Sequence, residues 1–137
     1  MTVPSQATGE TDLTQILAHL TVTRRPGSFV VITVDEPVSL GDGVEAVLAE
    51  SEAITVVAAT EAADRNGWSY HFTAAWLTLD VHSSLEAVGL TAAFAAALAE
   101  RRIPANVLAG FYHDHLLVPI ERADEAVQCL NGLRPAE

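Results

Sequence analysis

The sequence predicts an α+β fold: an antiparallel sheet with helices packed on one of its faces. Three observations carry that prediction. Phe29–Val34 and Ile54–Ala59 are runs rich in β-branched residues and read as buried strands. Leu13, Ile16, Leu17 and Leu20 recur three and four residues apart, the spacing of one apolar helix face. The connections are short, with no long linker, so the two halves of the chain are expected to pack as one body.

In chain order, residues 1–11 read as a loose tail. Asp12, with Gln15 three residues on, has the spacing of a capping box and opens a short helix. Arg25-Pro26-Gly27 reads as a turn before the first strand, Phe29–Val34. A loop spans 37–43, Val44–Glu50 is expected to form a short helical piece, and Ile54–Ala59 is the next strand. Thr60 is suited to cap a helix that stops at Gly67. Trp68–Thr73 alternates aromatic and polar residues and reads as a hairpin arm or lid. Trp76–Val81 is a third strand. Leu90, Phe94, Ala97 and Leu98 stripe a longer helix, with Arg101 and Arg102 at the negative end of its dipole. Ile103–Ala109 and Phe111–Ile120 read as strands joined tightly around Gly110. Ala123, Ala126, Val127, Leu130 and Leu133 mark a last helix, with Gly132 near its stop. Helices crossing over an antiparallel sheet in this order follow ferredoxin-like logic.

Composition narrows the function. The 137 residues suit one compact body, and half of them are hydrophobic. The formal net charge of −11 argues against a nucleic-acid partner, whose phosphates need a basic face, and against an anionic membrane surface. The single cysteine, Cys129, falls in a helical pattern and reads as a buried thiol. Residues 1–10 have neither a basic n-region nor an apolar run, so no signal peptide is expected. No window approaches about 18 consecutive apolar residues. A cytoplasmic protein is the expectation.

The polar chemistry is concentrated between Val81 and Pro119. Gly89–Val107, GLTAAFAAALAERRIPANV, resembles the core of an ACT domain: a Gly opens the helix, and a strand follows a short turn with an isoleucine and an asparagine. The longer string, with HSSLEAVGLTAA at 82–93 and FYHDHLLVP at 111–119, is similar to small bacterial proteins built of two ACT-like halves, largely without an assigned function. The resemblance implies ferredoxin-like βαββαβ units, an N-terminal half at 12–73 and a C-terminal ACT domain at 74–137. It implies a regulatory role in binding a small molecule, typically an amino acid, and a homodimer. The family's ligands sit between ACT units near the loop before the first helix, which maps onto Val81–Leu90. That loop is longer here than the family's Asp-x-Pro-Gly form and lacks its proline.

The residues themselves define the candidate site. Ser83 and Glu86 have capping-box spacing, and a helix start offers free N–H groups to a carboxylate. Gly89 lets the backbone approach a ligand closely. The expected ligand-binding set is His82, Ser83, Ser84, Leu85, Glu86, Val88, Gly89, Leu90, Asn106, Tyr112, His113, Asp114 and His115. On a strand, His113 and His115 share one face, with Tyr112 and Asp114 on the other. Asp114 is placed to receive an ammonium or to orient a histidine. His113 and His115 are half of a zinc site at most, so no metal and no cofactor are expected. Ser83 or Ser84 with His82 or His113 and Asp114 are the residue types of nucleophilic catalysis. They sit in no Gly-x-Ser-x-Gly elbow, so enzymatic activity is not expected. A ligand-free interaction domain, pairing open sheet edges, is the main alternative, with a histidine-based metal protein behind it.

Overall fold

The computed structural model describes residues 12–81 and 88–135. The elements are α1 (Leu13–Ala18), β1 (Thr21–Val34), β2 (Val44–Ala49), β3 (Ile54–Ala59), α2 (Thr60–Asn66), β4 (Thr73–Asp80), α3 (Leu90–Glu100), β5 (Asn106–Ala109), β6 (Asp114–Pro119), a 3-10 turn (Ile120–Arg122) and α4 (Ala123–Asn131). The strands form one 6-stranded sheet in the order β2-β3-β1-β4-β6-β5, and every neighbouring pair is antiparallel. This is the α+β, ferredoxin-like class that the sequence predicts.

The order resolves into two interlocked units. In the C-terminal one, β4, β5 and β6 are the first, second and third strands. The first half of β1 supplies the fourth, pairing Thr21–Arg25 with Asp80–Trp76. In the N-terminal one, the second half of β1 is the first strand, β2 and β3 follow, and the start of β4 is the fourth. Each unit thus shows the ferredoxin-like order fourth, first, third, second. The two central strands are shared. In the N-terminal unit, the loop 35–43 replaces the helix that α3 provides in the other.

The changeover point is Arg25-Pro26-Gly27, expected as a turn. It lies instead inside β1 as a bulge: between the pairs Arg25–Trp76 and Phe29–Ala74, β1 carries Pro26, Gly27 and Ser28 where β4 has only Ala75. Proline, with no N–H to donate, is tolerated at such a break in the ladder. Val44–Glu50 is a second correction. Its Glu-Ala-Val-Leu-Ala run favours helix, but pairing with β3 wins and makes it edge strand β2. Thr60 does not cap α2; its hydroxyl bonds that of Ser28 at 2.8 Å. Phe111 and Tyr112 lie in the β5–β6 turn, closed by Gly110 N–H donating to the His113 carbonyl at 2.9 Å, and not in a strand. The Asp12 cap holds: its Oδ1 accepts from the N–H groups of Thr14 at 2.9 Å and Gln15 at 3.3 Å.

All four described helices lie against one sheet face. Under α1, α3 and α4, the core joins Leu77 and Leu79 of β4 and Leu116 and Val118 of β6 to Ile16, Phe94, Leu98 and Leu130. Under α2, Val30, Ile32, Val56 and Ala58 meet Ala62 and Ala63. The other face carries no described helix. The sheet curls about it, burying Phe29, Val57, Ala74, Trp76 and Leu117. No polar or charged residue is fully buried among those described.

Candidate functional site

The end of the sheet where β4 stops and β6 starts holds Tyr112, His113, Asp114 and His115. Beyond Val81 the chain returns at Val88, and α3 begins after Gly89, whose φ of +102° is one that L side chains rarely adopt. A Cβ at Gly89 would also come within 3.1 Å of Leu13 Cδ2, so the glycine lets α3 start tight against α1. The Gly89 carbonyl accepts from Ala93 N–H at 2.9 Å. His82, Ser83, Ser84, Leu85 and Glu86 lie outside the described residues. Leu90 is part of the core, whereas Val88 is 82% exposed.

Strand β6 distributes its residues between the two faces. Asp114 pairs with Leu79 and Ala109 and projects to the helix-covered side. It is half-buried, and among the described residues its carboxylate makes no side-chain hydrogen bond. Burial therefore pushes its pKa above the ordinary carboxylate value, with the charge of His115 opposing. His115 projects to the concave side. There its Nδ1 lies 3.2 Å from Trp76 Nε1 and 3.0 Å from Thr78 Oγ1. An indole N–H only donates, so Nδ1 is the acceptor and the neutral ring carries its proton on Nε2. Burial first, then the charges of His113 and Arg25, hold the His115 pKa below the ordinary histidine value.

His113 shares the concave side with His115, as strand alternation predicts; their ring centroids are 6.3 Å apart. Its Nδ1 is shielded from water and lies 3.6 Å from Asp80 Oδ1, beyond hydrogen-bond length. Tyr112 and Phe111, 78% and 71% exposed, stack edge to face at the tip of the turn. Asn106 is exposed at the far end of β5, opposite Leu117. Asp114 thus lies on the helix side of the sheet, at the end where β4 leads toward Gly89 and Leu90. The structure places His113 and His115 on the other face and keeps Asn106 away from both. No group of three or more His, Cys, Asp or Glu suited to a metal exists among the described residues. Cys129 is a free, buried thiol whose pKa burial raises.

Sequence reasoning passed over Arg25, Glu45 and Trp76. The Arg25 guanidinium sits 4.2 Å from the centre of the Trp76 ring and bonds Glu45 at 2.7 Å. The signal lay in the cross-strand pair Arg25–Trp76, hidden because Arg25 read as a turn residue and Glu45 as helical.

The comparisons with known proteins give the fold a family. One ACT-domain profile matches residues 72–132 and a second matches residues 8–75. This chain belongs to the ACT-domain family. Its ACT fold is similar to that of a Vibrio cholerae protein of unknown function, described as a possible transport protein. The two are 39% identical over 90% of this chain and 96% of that one, with a TM-score of 0.79. An Agrobacterium tumefaciens protein is 14% identical over 83% of this chain and 88% of that one, with a TM-score of 0.63. The aspartate kinase of Clostridium acetobutylicum is 11% identical over 85% of this chain but only 34% of the kinase, with a TM-score of 0.61. These last two likenesses show the fold alone. Among curated proteins the sequence finds no match. ACT domains are regulatory, ligand-binding modules rather than catalytic ones, and that is the class of function the family supports here. No helix among the described residues is long and apolar enough to cross a membrane.

Proposed function

We propose that this ACT-domain protein is a regulatory module, without catalytic activity of its own, that binds an amino acid at the end of the sheet around Gly89 and Asp114. The observation that carries the reading is Asp114, a partly buried carboxylate paired across the strands with Leu79 and Ala109 and without a side-chain hydrogen bond among the described residues. Partial burial disfavours its charge, and a bound cation offsets that cost. A ligand ammonium supplies the missing partner. The N–H groups at the start of α3 suit the ligand carboxylate, beside the exposed Val88; His82, Ser83, Ser84, Leu85 and Glu86, outside the described residues, belong to the same proposed set. The exposed Tyr112 stands at its rim, whereas His113 and His115, on the other face, and Asn106, at the far end of β5, take no part in it. The halves 12–73 and 74–137 act as two ACT units that lend each other a central strand. A second copy of the chain, packed over Val88, Phe111 and Tyr112, makes a cytoplasmic homodimer with the ligand near the interface.

Calorimetric titration with each of the twenty amino acids tests the reading. At least one is expected to bind with millimolar affinity or better, and Asp114→Asn is expected to abolish that binding without unfolding the protein. Absence of heat from all twenty, or binding indifferent to Asp114→Asn, would overturn it. Sedimentation equilibrium of the wild type tests the dimer.

A further inference from the structure

The two units of the sheet are covered unequally on the helix side. In the C-terminal unit, Leu77, Leu79 and Leu116 beneath the helices are fully buried. In the N-terminal unit the loop 35–43 stands where the other has α3, and an apolar floor is left partly open. Strand pairing lays out that floor. Val47 lies opposite Val56, and Ala49 opposite Ile54, which also faces Val34. Val56 belongs to the core under α2, so Val47, Ala49, Ile54 and Val34 share its side of the sheet. Val34 and Ile54 are only partly buried, whereas Val47, Ala49 and Leu40 of the loop are exposed. Carboxylates surround the floor. Residues 34–73 carry eight Asp and Glu against one cation, Arg65, and so hold seven of the chain's eleven net negative charges. Asp35 and Glu36 follow Val34 directly, and Glu52 lies in the turn between Ala49 and Ile54; all three are exposed. Asp42 and Glu61 line a hollow of about 580 Å³ between the loop and α2. Arg65 is already engaged there, donating to the Asp42 carbonyl at 2.8 Å. A Cβ on Gly43 would come within 2.7 Å of Ala62 Cβ, so the glycine lets the loop close on α2 and fixes the hollow.

We propose that this floor docks a basic amphipathic helix of a partner protein, laid where the C-terminal unit has its own α3. The apolar stripe of that helix covers Val34, Val47, Ile54 and Leu40. Its Lys and Arg residues meet Asp35, Glu36 and Glu52, and one of them enters the hollow between Asp42 and Glu61. Recognition of a helix in a groove works in this way: apolar anchors supply contact, and charges at the rim select the partner. Charge decides the occupant here. A second copy of the chain would bring the same carboxylates against these and be repelled. An anionic membrane surface is repelled for the same reason. An acidic helix would leave the rim unmatched. The surface is separate from the Asp114 site, which belongs to the other unit.

Fluorescence anisotropy with a labelled leucine–lysine peptide of about 18 residues, five helical turns, tests the proposal on the full chain. At about 0.15 M salt, the peptide with its leucines on one helix face is expected to bind with a Kd of tens of micromolar or tighter. The same residues in scrambled order, which spread leucine around the helix, should bind roughly tenfold more weakly or worse, and so should a leucine–glutamate peptide. Leu40→Ser combined with Val47→Thr should weaken the amphipathic peptide roughly tenfold, and so should Glu36→Gln combined with Glu52→Gln. Thermal melts establish that each double variant is folded. Glu36 and Glu52 are exposed, so that pair keeps a folded test available. The proposal fails if the scrambled peptide binds as well as the amphipathic one, because charge alone then holds the peptide. It fails if either folded double variant binds like the parent. It also fails if Leu40→Ser with Val47→Thr lowers the sedimentation mass of the protein, which would give the floor to a second copy.

Discussion

Asp114 and His115 are consecutive residues of β6 that face opposite sides of one sheet, and the two sides treat polar groups in opposite ways. On the helix-covered side, Phe94, Leu98 and Leu130 are fully buried, and Asp114, paired across the strands with Leu79 and Ala109, has no side-chain hydrogen bond among the described residues. On the concave side, polar side chains bonded to one another do the covering: Arg25 to Glu45, and His115 to Trp76 and Thr78. The difference separates stability from chemistry. The helix side is where removing atoms should cost most. The concave side is where removing charge should leave the fold standing.

The largest expected effect tests the first half of that contrast. Phe94 is 0% exposed at the centre of α3's buried stripe. Phe94→Ala should lower unfolding free energy by about 3–5 kcal/mol in urea titration. A loss under about 1 kcal/mol would mean that α3 is not holding the sheet.

Trp76→Phe tests the second half. It keeps an aromatic ring in the concave cluster but removes the N–H that His115 accepts and weakens the stacking of Arg25. The expected cost is about 1–2 kcal/mol. A cost equal to that of Phe94→Ala would make the concave side a second core, and the contrast would fail.

The contrast was only partly legible in the sequence. Strands Phe29–Val34 and Ile54–Ala59, the stripe Leu90-Phe94-Leu98 and the opposite facing of His115 and Asp114 follow from periodicity, because burial on one face imposes it. What was hidden depends on pairing between distant strands. Val44–Ala49 is equally good as helix or strand until β3 lies beside it. Arg25-Pro26-Gly27 has turn chemistry, and only the register with β4 makes it a bulge. Both misreadings fall on the residues that place Arg25 and Glu45 over Trp76, so the concave cluster could not be assembled from local signals. The facing of Asp114 was legible because strand alternation alone sets it, and the ACT family was legible because the string from Val81 to Pro119 is continuous in sequence.

Asp114→Asn sharpens the comparison at smaller amplitude. The raised pKa means that the fold favours the neutral acid. The penalty is absent well below the ordinary carboxylate range, grows as pH rises from there through the raised value, and is constant above it. At pH 7 the wild type therefore carries a cost that asparagine avoids. Because Asp114 keeps some contact with water, the variant should gain no more than about 1 kcal/mol. Destabilisation at pH 7 would instead indicate that the carboxylate already has a partner in the free protein.

The smallest effect belongs to His115, and its sign is opposite. Its pKa in the folded protein lies below the unfolded value, so the folded state resists the proton that the unfolded chain accepts. The stability it contributes is complete above the ordinary histidine pKa and declines as pH falls through that value toward the lowered one. Protonation puts a hydrogen on Nδ1, where Trp76 Nε1–H already points, and two donors then face each other. His115→Asn offers an amide oxygen near the Nδ1 position and has no proton to take up. It should remove a decline of a few tenths of a kcal/mol from the mildly acidic limb of the stability profile, leaving the Asp114 limb at lower pH intact. Urea midpoints compared from pH 7 down to about 5 measure it. An unchanged slope in His115→Asn would show that the concave side tolerates a protonated imidazole, and that its covering of polar side chains is looser than their mutual hydrogen bonds imply.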